Sequence, residues 1–409
     1  MIRHSATLAV DERIRALKAQ GRPVLHLGFG EAGLPVLPEV EQVLAGAAGR
    51  NGYGPVAGSP AARSAVAEWF GRRGLPTDPA QVLLAPGSKA LLFALVTVLP
   101  GDVVLPRPAW VSYAAQAALA GRRVIGVDVP AEAGGVPDPG LLAEELRAAR
   151  AAGAEPGILI LTLPDNPTGT VASADLVAKV CAVAREHGLV VISDEIYRDL
   201  ADEPVHSPAL ELPERTVVTG GLSKSVALGG YRIGFARLPD PPLPGLYEGV
   251  LGVASEIWSS LPSPMQAVAA YVAGDPPPVR EHVAASRRLH RAVATAVHAE
   301  FVAAGATCRP PRGAFYLYPD LEHLRDRFAT GAELAEHLLE QHGVGVLAGA
   351  EFGDDPARLR FRVATSLLYG EDAEQRWTAL RSEDPLRLPQ ISASLEQLRD
   401  ALGAVGRGA

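Results

Sequence analysis

The rhythm of hydrophobic and polar positions changes along this chain. Between residues 80 and 238, short apolar runs recur: QVLLA (81–85), DVVLP (102–106), RRVIGVDV (122–129), GILILTL (157–163), GLVVIS (188–193), RTVVTG (215–220) and YRIGFARL (231–238). Several are apolar at every position, as strands covered by helices on both faces must be. SADLVAKVCAVAREHG (173–188) separates two of them and has helical spacing, with Ser173 as N-cap and Gly188 as a stop. This alternation predicts an α/β domain with a mostly parallel seven-stranded sheet between helices.

From about residue 278 the texture differs. VREHVAASRRLHRAVATAVHAEFVAAG predicts one long amphipathic helix, shorter mixed elements follow, and SLEQLRDALGAV predicts a closing helix. The expected organisation is a large domain over residues 46–285 and a smaller α/β domain built from both termini, residues 1–45 and 286–409. DPPLPG (240–245) and GDPPPV (274–279) are expected loops.

Composition narrows the class. With 48% hydrophobic and 21% charged residues in 409, the chain is long and apolar enough for two packed domains. A net charge of −8 without any basic run argues against a nucleic-acid partner. The longest apolar run, ALLFALVTVLP (90–100), is too short to span a bilayer, and the N-terminus lacks an apolar signal core, so no membrane association is expected. Cys181 and Cys308 make no metal or redox spacing, which fits a cytoplasmic protein, and no metal site is expected.

Lysine usage changes the picture further. Only Lys18, Lys89, Lys179 and Lys224 occur among 38 basic residues; the rest are arginine. Where charge alone is needed this chain uses arginine, so a retained lysine is a candidate for what arginine cannot do, which is to lose its proton and attack a carbonyl. Lys224 lies in SKSVALGGYRIG, just after an apolar run. Other candidates fall at strand ends: Gly87, Ser88 and Lys89 in a strand–turn–helix whose amides suit a phosphate, Trp110 in RPAWVSY, Asn166 in NPTG, and Asp194 and Tyr197 in SDEIY. Each alone also fits an ordinary turn, cap or packing residue. HLGFGEAG (26–33) has dinucleotide-binding glycine spacing, but Pro35 and Pro38 forbid the helix that should follow.

Taken in order, YGPVAGSPAARSAVAEWF (53–70), NPTG (166–169), SDEIY (193–197), SK…GGYRIGFA (223–236), GAFYLYP (313–319) and RFRVATS (360–366) resemble fold-type I enzymes dependent on pyridoxal 5'-phosphate (PLP), of the aminotransferase class I/II family. The resemblance runs along essentially the whole chain. It implies a PLP-dependent transferase fold of type I and transfer of an amino group from an α-amino acid to a 2-oxo acid, through a Lys224 Schiff base and a quinonoid intermediate. It implies that Lys224 is the base, that Asp194 pairs with the pyridine nitrogen, and that Trp110 stacks on the ring. Asn166 and Tyr197 would bond the phenolic oxygen. Gly87, Ser88, Lys89, Ser223 and Arg232 would hold the phosphate, with Tyr53 reaching the site of a second subunit in a homodimer with shared sites. Gly30, Asn166 and Arg360 would meet the substrate carboxylate; Arg358 and Arg362 share a strand face with Arg360, which is preferred because it stands four residues before Ala364.

The chain also departs from the family. Gly221 replaces a common phosphate-touching serine, GLPVLP replaces an acidic–aromatic loop, Ala348 stands where proline is common, and the link after ATS is long. Relatives with these motifs also carry out β- or γ-elimination, replacement, decarboxylation or cyclisation (for example on S-adenosylmethionine), an alternative the sequence leaves open. Apolar Leu34, Trp258 and Leu261 raise the expectation of a neutral or aromatic substrate side chain over aspartate.

Overall fold

All seven apolar runs form strands of one sheet. The computed structural model describes residues 4–130 and 133–407. Helix α1 (Ala6–Ala19), strand β1 (Leu25–His26), α2 (Pro38–Ala47) and α3 (Pro60–Arg72) come first. Then follow β2 (Val82–Pro86), α4 (Ser88–Val98), β3 (Asp102–Arg107), α5 (Val111–Leu119), β4 (Val124–Asp128), α6 (Pro139–Ala151), β5 (Pro156–Thr162) and α7 (Ala174–Glu186). The sheet is completed by β6 (Val190–Asp194), the short α8 (Pro208–Glu211), β7 (Thr216–Gly221) and β8 (Ile233–Arg237). Helices α9 (Leu246–Ile257), α10 (Ser263–Ala273) and α11 (Pro277–Ala303) lead to β9 (Tyr316–Leu317), α12 (Gly331–His342), β10 (Val344–Gly345) and β11 (Leu347–Ala348). The chain closes through β12 (Phe361–Ala364), α13 (Ala373–Arg381) and α14 (Pro389–Arg407).

The strand order is β2-β8-β7-β6-β5-β3-β4. Strand β8 runs antiparallel to both neighbours, and every other pairing is parallel. Two interiors account for the uniformly apolar strands. Leu91, Leu95 and Tyr113 from α4 and α5 pack with Ile158, Ile160 and Ile192 on one face. Leu142, Leu146, Val177 and Val180 from α6 and α7 pack with Leu159, Leu161 and Val191 on the other. From β3 the chain moves outward to β4 and then returns to the opposite side of β3 as β5. That reversal opens a crevice at the carboxyl ends of the strands, where such sheets bind ligands.

Two small sheets lie apart from this one: β1 with β10, and β11-β12-β9. Leu25, Leu27 and Leu34 share a core with residues from Leu289 onward, whereas Leu37 and Val40 pack with Phe70 and Phe235 beside the large sheet. The boundary expected at residue 285 falls inside α11, a single helix of 27 residues. GDPPPV is not wholly a loop either. Pro277 and Pro278 open α11, because the first helical turn needs no N–H partners there. The long link after ATS contains α13, capped by the Asp372 side chain.

Phe235 on β8 joins the sheet to α3. It is 1% exposed, its ring lies 5.1 Å from that of Trp69 and 5.7 Å from that of Phe70, and it covers Gly220 on the next strand. Phe235→Ala should cost about 3–5 kcal/mol and lower the melting temperature by several degrees. A melting curve indistinguishable from wild type would show that this cluster does not tie helix to sheet.

Candidate functional site

The crevice holds a cavity of about 570 Å³, lined on its inner side by Ser88, Trp110, Asn166, Asp194, Tyr197 and Lys224. The sheet register explains how they meet. Thr162, Asp194 and Thr219 are partners on β5, β6 and β7 at the carboxyl edge. Asp194 is therefore delivered at the base of the crevice, flanked by two hydroxyls. Thr219 Oγ1 donates to Asp194 Oδ1 at 3.2 Å, and Tyr113 OH donates to Asp194 Oδ2 at 2.9 Å while lying 2.8 Å from Thr162 Oγ1. Among the described residues, no cation pairs with this carboxylate. Burial pushes its pKa up to about 6, against the pull of these hydrogen bonds.

Lys224 follows β7 and points into the same cavity. Its Nζ donates to the Gly30 carbonyl and lies 5.7 Å from the Tyr197 ring centre. Burial brings its pKa down to about 8, and the charge of Arg362 adds to that effect. A sizeable neutral fraction near physiological pH makes this amine a nucleophile.

The third group is the N-terminus of α4. Gly87 is its N-cap, in a left-handed conformation with φ +86°, and Ser88 and Lys89 open the helix. A Cβ on Gly87 would lie 2.4 Å from Arg232 Nη2, so only glycine lets that guanidinium reach the helix end. Arg232 donates to the Gly229 carbonyl at 2.8 Å, and its charge, second to burial, lowers the pKa of Lys89. Two like charges beside a helix N-terminus make a cradle for a dianion. Gly87 itself is not among the cavity-lining residues, whereas Ser88, Lys89, Ser223 and Arg232 are.

The expectation for Arg360 needs correction. Its Nε donates to Asp320 at 2.7 Å, its Nη1 lies 3.5 Å from Asp354, and it does not line the cavity. Arg362 does line it, 1% exposed and two residues further along the same strand face. Arg362 Nη1 donates to Asn166 Oδ1 at 3.2 Å and Nη2 to the Gly28 carbonyl at 2.7 Å, while its Nε has no partner among the described residues. The guanidinium lies 4.9 Å from the Tyr316 ring and 5.0 Å from that of Phe352. An orphaned, fully buried N–H calls for an acceptor, and a carboxylate supplies one.

The other expected residues divide. Gly30 lines the cavity, and a Cβ there would meet Tyr316 OH at 2.3 Å. Tyr197 OH lies 2.7 Å from Tyr316 OH, and Asn166 Nδ2 lies 3.5 Å from Tyr197 OH. Tyr53 stands apart at 94% exposed and takes no part in this chain's own cavity. Leu34 and Leu261 are core residues and Trp258 packs beside the large sheet; none lines the cavity, so the expected apolar readers of a side chain are not there. Sequence reading gave no role to Tyr113, Thr219 or Tyr316. The one available signal for Thr162 and Thr219 was a threonine near the carboxyl end of an otherwise apolar run.

The sign of a pH effect follows from Asp194. Its folded pKa lies above its ordinary 3.8, so the ionised form is disfavoured in the folded, cofactor-free chain. The penalty is absent below about pH 4, grows toward pH 6 and is complete above it, at about 3 kcal/mol. Asp194→Asn cannot ionise and should melt several degrees above wild type at neutral pH, with the gap closing toward pH 4. Coincident neutral-pH melting curves would contradict a dry, charged Asp194.

Residues 22–367 match the family described as aminotransferase class I and II. The chain is 33% identical to an aspartate aminotransferase of Geobacillus stearothermophilus over 91% of this chain and 95% of that one. It is 34% identical to an aspartate/prephenate aminotransferase of Cereibacter sphaeroides over 90% of this chain and 94% of that one. Among solved structures, aspartate aminotransferase from Thermus thermophilus with maleate superposes with a TM-score of 0.83 at 28% identity, over 98% of this chain and 97% of that one. A family match over most of the chain, relatives one-third identical along nine-tenths of it and a solved structure that superposes over nearly its whole length make this chain a member of the class I and II aminotransferase family.

Proposed function

We propose that the chain binds pyridoxal 5'-phosphate in this cavity and transfers an amino group between an α-amino acid and a 2-oxo acid. The observation that carries the proposal is that Lys224 and Asp194, both stripped of water, share one cavity with the cradle at α4. The cavity fits the cofactor at each end. Ser88, Arg232 and the first amides of α4 suit its phosphate, Asp194 suits a cationic ring nitrogen, and Asn166 and Tyr197 suit the phenolic oxygen. Trp110, which opens α5, suits stacking on the ring. When bound, pyridoxal phosphate supplies an electrophilic carbonyl and a ring that withdraws electrons from the substrate Cα.

The protein's own part is orientation and proton handling. Arg362 fixes the substrate carboxylate through its free Nε–H, with Asn166 and the Gly28 carbonyl holding the guanidinium in plane. Lys224 Nζ, as the free amine, would be the base that takes the proton from the substrate Cα. Its pKa, brought down to about 8, leaves a working fraction of the free amine near neutral pH. Tyr113 and Thr219 keep Asp194 oriented and ionised against the penalty of burial.

The names of the relatives, and maleate in the Thermus structure, support dicarboxylic substrates over the neutral or aromatic ones that the sequence suggested. We also infer a homodimer with shared sites. Tyr53, exposed and outside its own cavity, is placed as a residue serving a partner's phosphate would be. The large domain at 46–285 and the small domain at 1–45 and 286–409 are proposed as the two units of the chain, with α11 spanning the junction. Among the described residues, no helix is long and apolar enough to cross a membrane.

Single-turnover reaction of the loaded enzyme with one amino acid and no acceptor tests the chemistry. One equivalent of 2-oxo acid should form without ammonia; release of ammonia would place the chain among the elimination enzymes instead. Lys224→Ala should lower turnover by at least about a thousandfold, the scale of losing a general base. Retained activity would remove Lys224 from the mechanism. Arg362→Gln should lower kcat/KM about a hundredfold or more, whereas Arg360→Gln, whose partners are Asp320 and Asp354, should change it less than about threefold. The reverse order would restore Arg360 to the site.

A further inference from the structure

The inner residues of the cavity have roles under the aminotransferase reading; its outer wall does not. That wall is α1, which contributes Ser5, Thr7, Leu8, Asp11 and Arg15. Leu8, Asp11 and Arg15 follow a spacing of three and then four, so they form one stripe on the helix face that meets the cavity. The helix is pressed close to the carboxylate site. A Cβ on Gly28, whose carbonyl accepts from Arg362, would lie 3.1 Å from Val10 of α1.

Among the described residues, five cations line the cavity: Arg15, Lys89, Lys224, Arg232 and Arg362. Lys224 carries the amine chemistry and Arg362 the α-carboxylate. Arg232 and Lys89 sit at the helix-end cradle, where the Lys89 Nζ lies 5.1 Å from the Trp110 ring. Arg15 remains. Its Nε donates to Asp11 Oδ2 at 2.9 Å, and its two Nη groups have no partner among the described residues. Asp11 is buried and its other oxygen lies 2.9 Å from His26 Nε2. His26 Nδ1 has no partner among the described residues, and Nε2 faces a carboxylate that can only accept, so the proton is placed on Nε2 and donated to Asp11. Burial lowers the pKa of His26, which favours a neutral ring beside Asp11. The chain His26–Asp11–Arg15 thus anchors one edge of a guanidinium and leaves its forked edge open, the arrangement that suits a carboxylate.

We infer that Arg15 reads an anionic group at the distal end of the substrate, with Asp11 and His26 as positioning residues. The inference rests on the aminotransferase reading above and adds to it the residue that selects dicarboxylic amino and 2-oxo acids. Glu31 also lines the cavity, and its charge acts on Lys224, raising the proton affinity of that amine. A cationic substrate end would have to be read by Glu31, which makes lysine the informative competitor.

The test is single-turnover kcat/KM of the loaded enzyme for aspartate, glutamate, alanine and lysine, with alanine as the reference lacking a distal group. Wild type should prefer aspartate or glutamate to alanine and to lysine. Arg15→Gln should lower the dicarboxylate-to-alanine ratio about tenfold to a hundredfold, mainly through KM, and Arg15→Lys should recover part of it. Asp11→Asn should lower the ratio several-fold with Arg15 still present, which simple removal of a charge near the mouth would not do. An unchanged ratio in Arg15→Gln, a loss of selectivity in Lys89→Gln instead, or a wild-type preference for lysine lost in Glu31→Gln would each overturn the inference. Absence of turnover with any amino acid would strike the aminotransferase reading itself.

Discussion

The structure depends on keeping two ionisable groups out of water a short distance apart. Lys224 and Asp194 are each displaced from the usual titration range mainly by desolvation, the amine downward and the carboxylate upward. Neither has an ionic partner among the described residues. In a stability sense both are liabilities, since a buried charge without a counter-ion costs free energy. They persist because the surrounding sheet over-determines their positions: Asp194 closes β6 in register with Thr162 and Thr219, and Lys224 leaves β7 beside it. A ligand bearing both a carbonyl and a cationic ring nitrogen relieves both groups at once.

That arrangement was legible in the sequence where strand ends carried it. Each apolar run in 81–238 became a strand of the large sheet, and residues placed just past those runs came together because parallel strands aim their carboxyl ends the same way. Lys224, Asp194, Asn166 and Tyr197 meet in one cavity for that reason, and Arg232 joins them because β8 runs antiparallel and brings its amino end to the same edge. Which arginine lines the cavity, and is proposed for the substrate carboxylate, was not legible, because Arg358, Arg360 and Arg362 share strand parity. Period-two alternation chooses a face, not a place along it. What separates Arg360 from Arg362 is Asp320, forty residues away in sequence and paired with Arg360 across an antiparallel bridge. Tyr113 and Thr219 escaped notice for a related reason: their value lies in facing Asp194, which only the register decides.

Substrate selection belongs to a different part of the fold. The residues expected to read a side chain, Leu34, Trp258 and Leu261, went into packing, since apolar residues gain more from a core than from a wet cavity. The outer wall came instead from α1, whose charged stripe reads in sequence as an ordinary solvated helix face. The division is physically sensible. The inner residues sit mostly at the ends of sheet strands, while the outer wall sits on a helix outside the large sheet.

The most direct measurement of the central claim is chemical. The purified protein would be loaded with pyridoxal 5'-phosphate, reduced with borohydride and digested, and the labelled peptide sequenced. The account requires one label per chain on Lys224, in the peptide containing SKSVALGGYR. A label on Lys89, the other lysine in the cavity, or no label after loading, would contradict it.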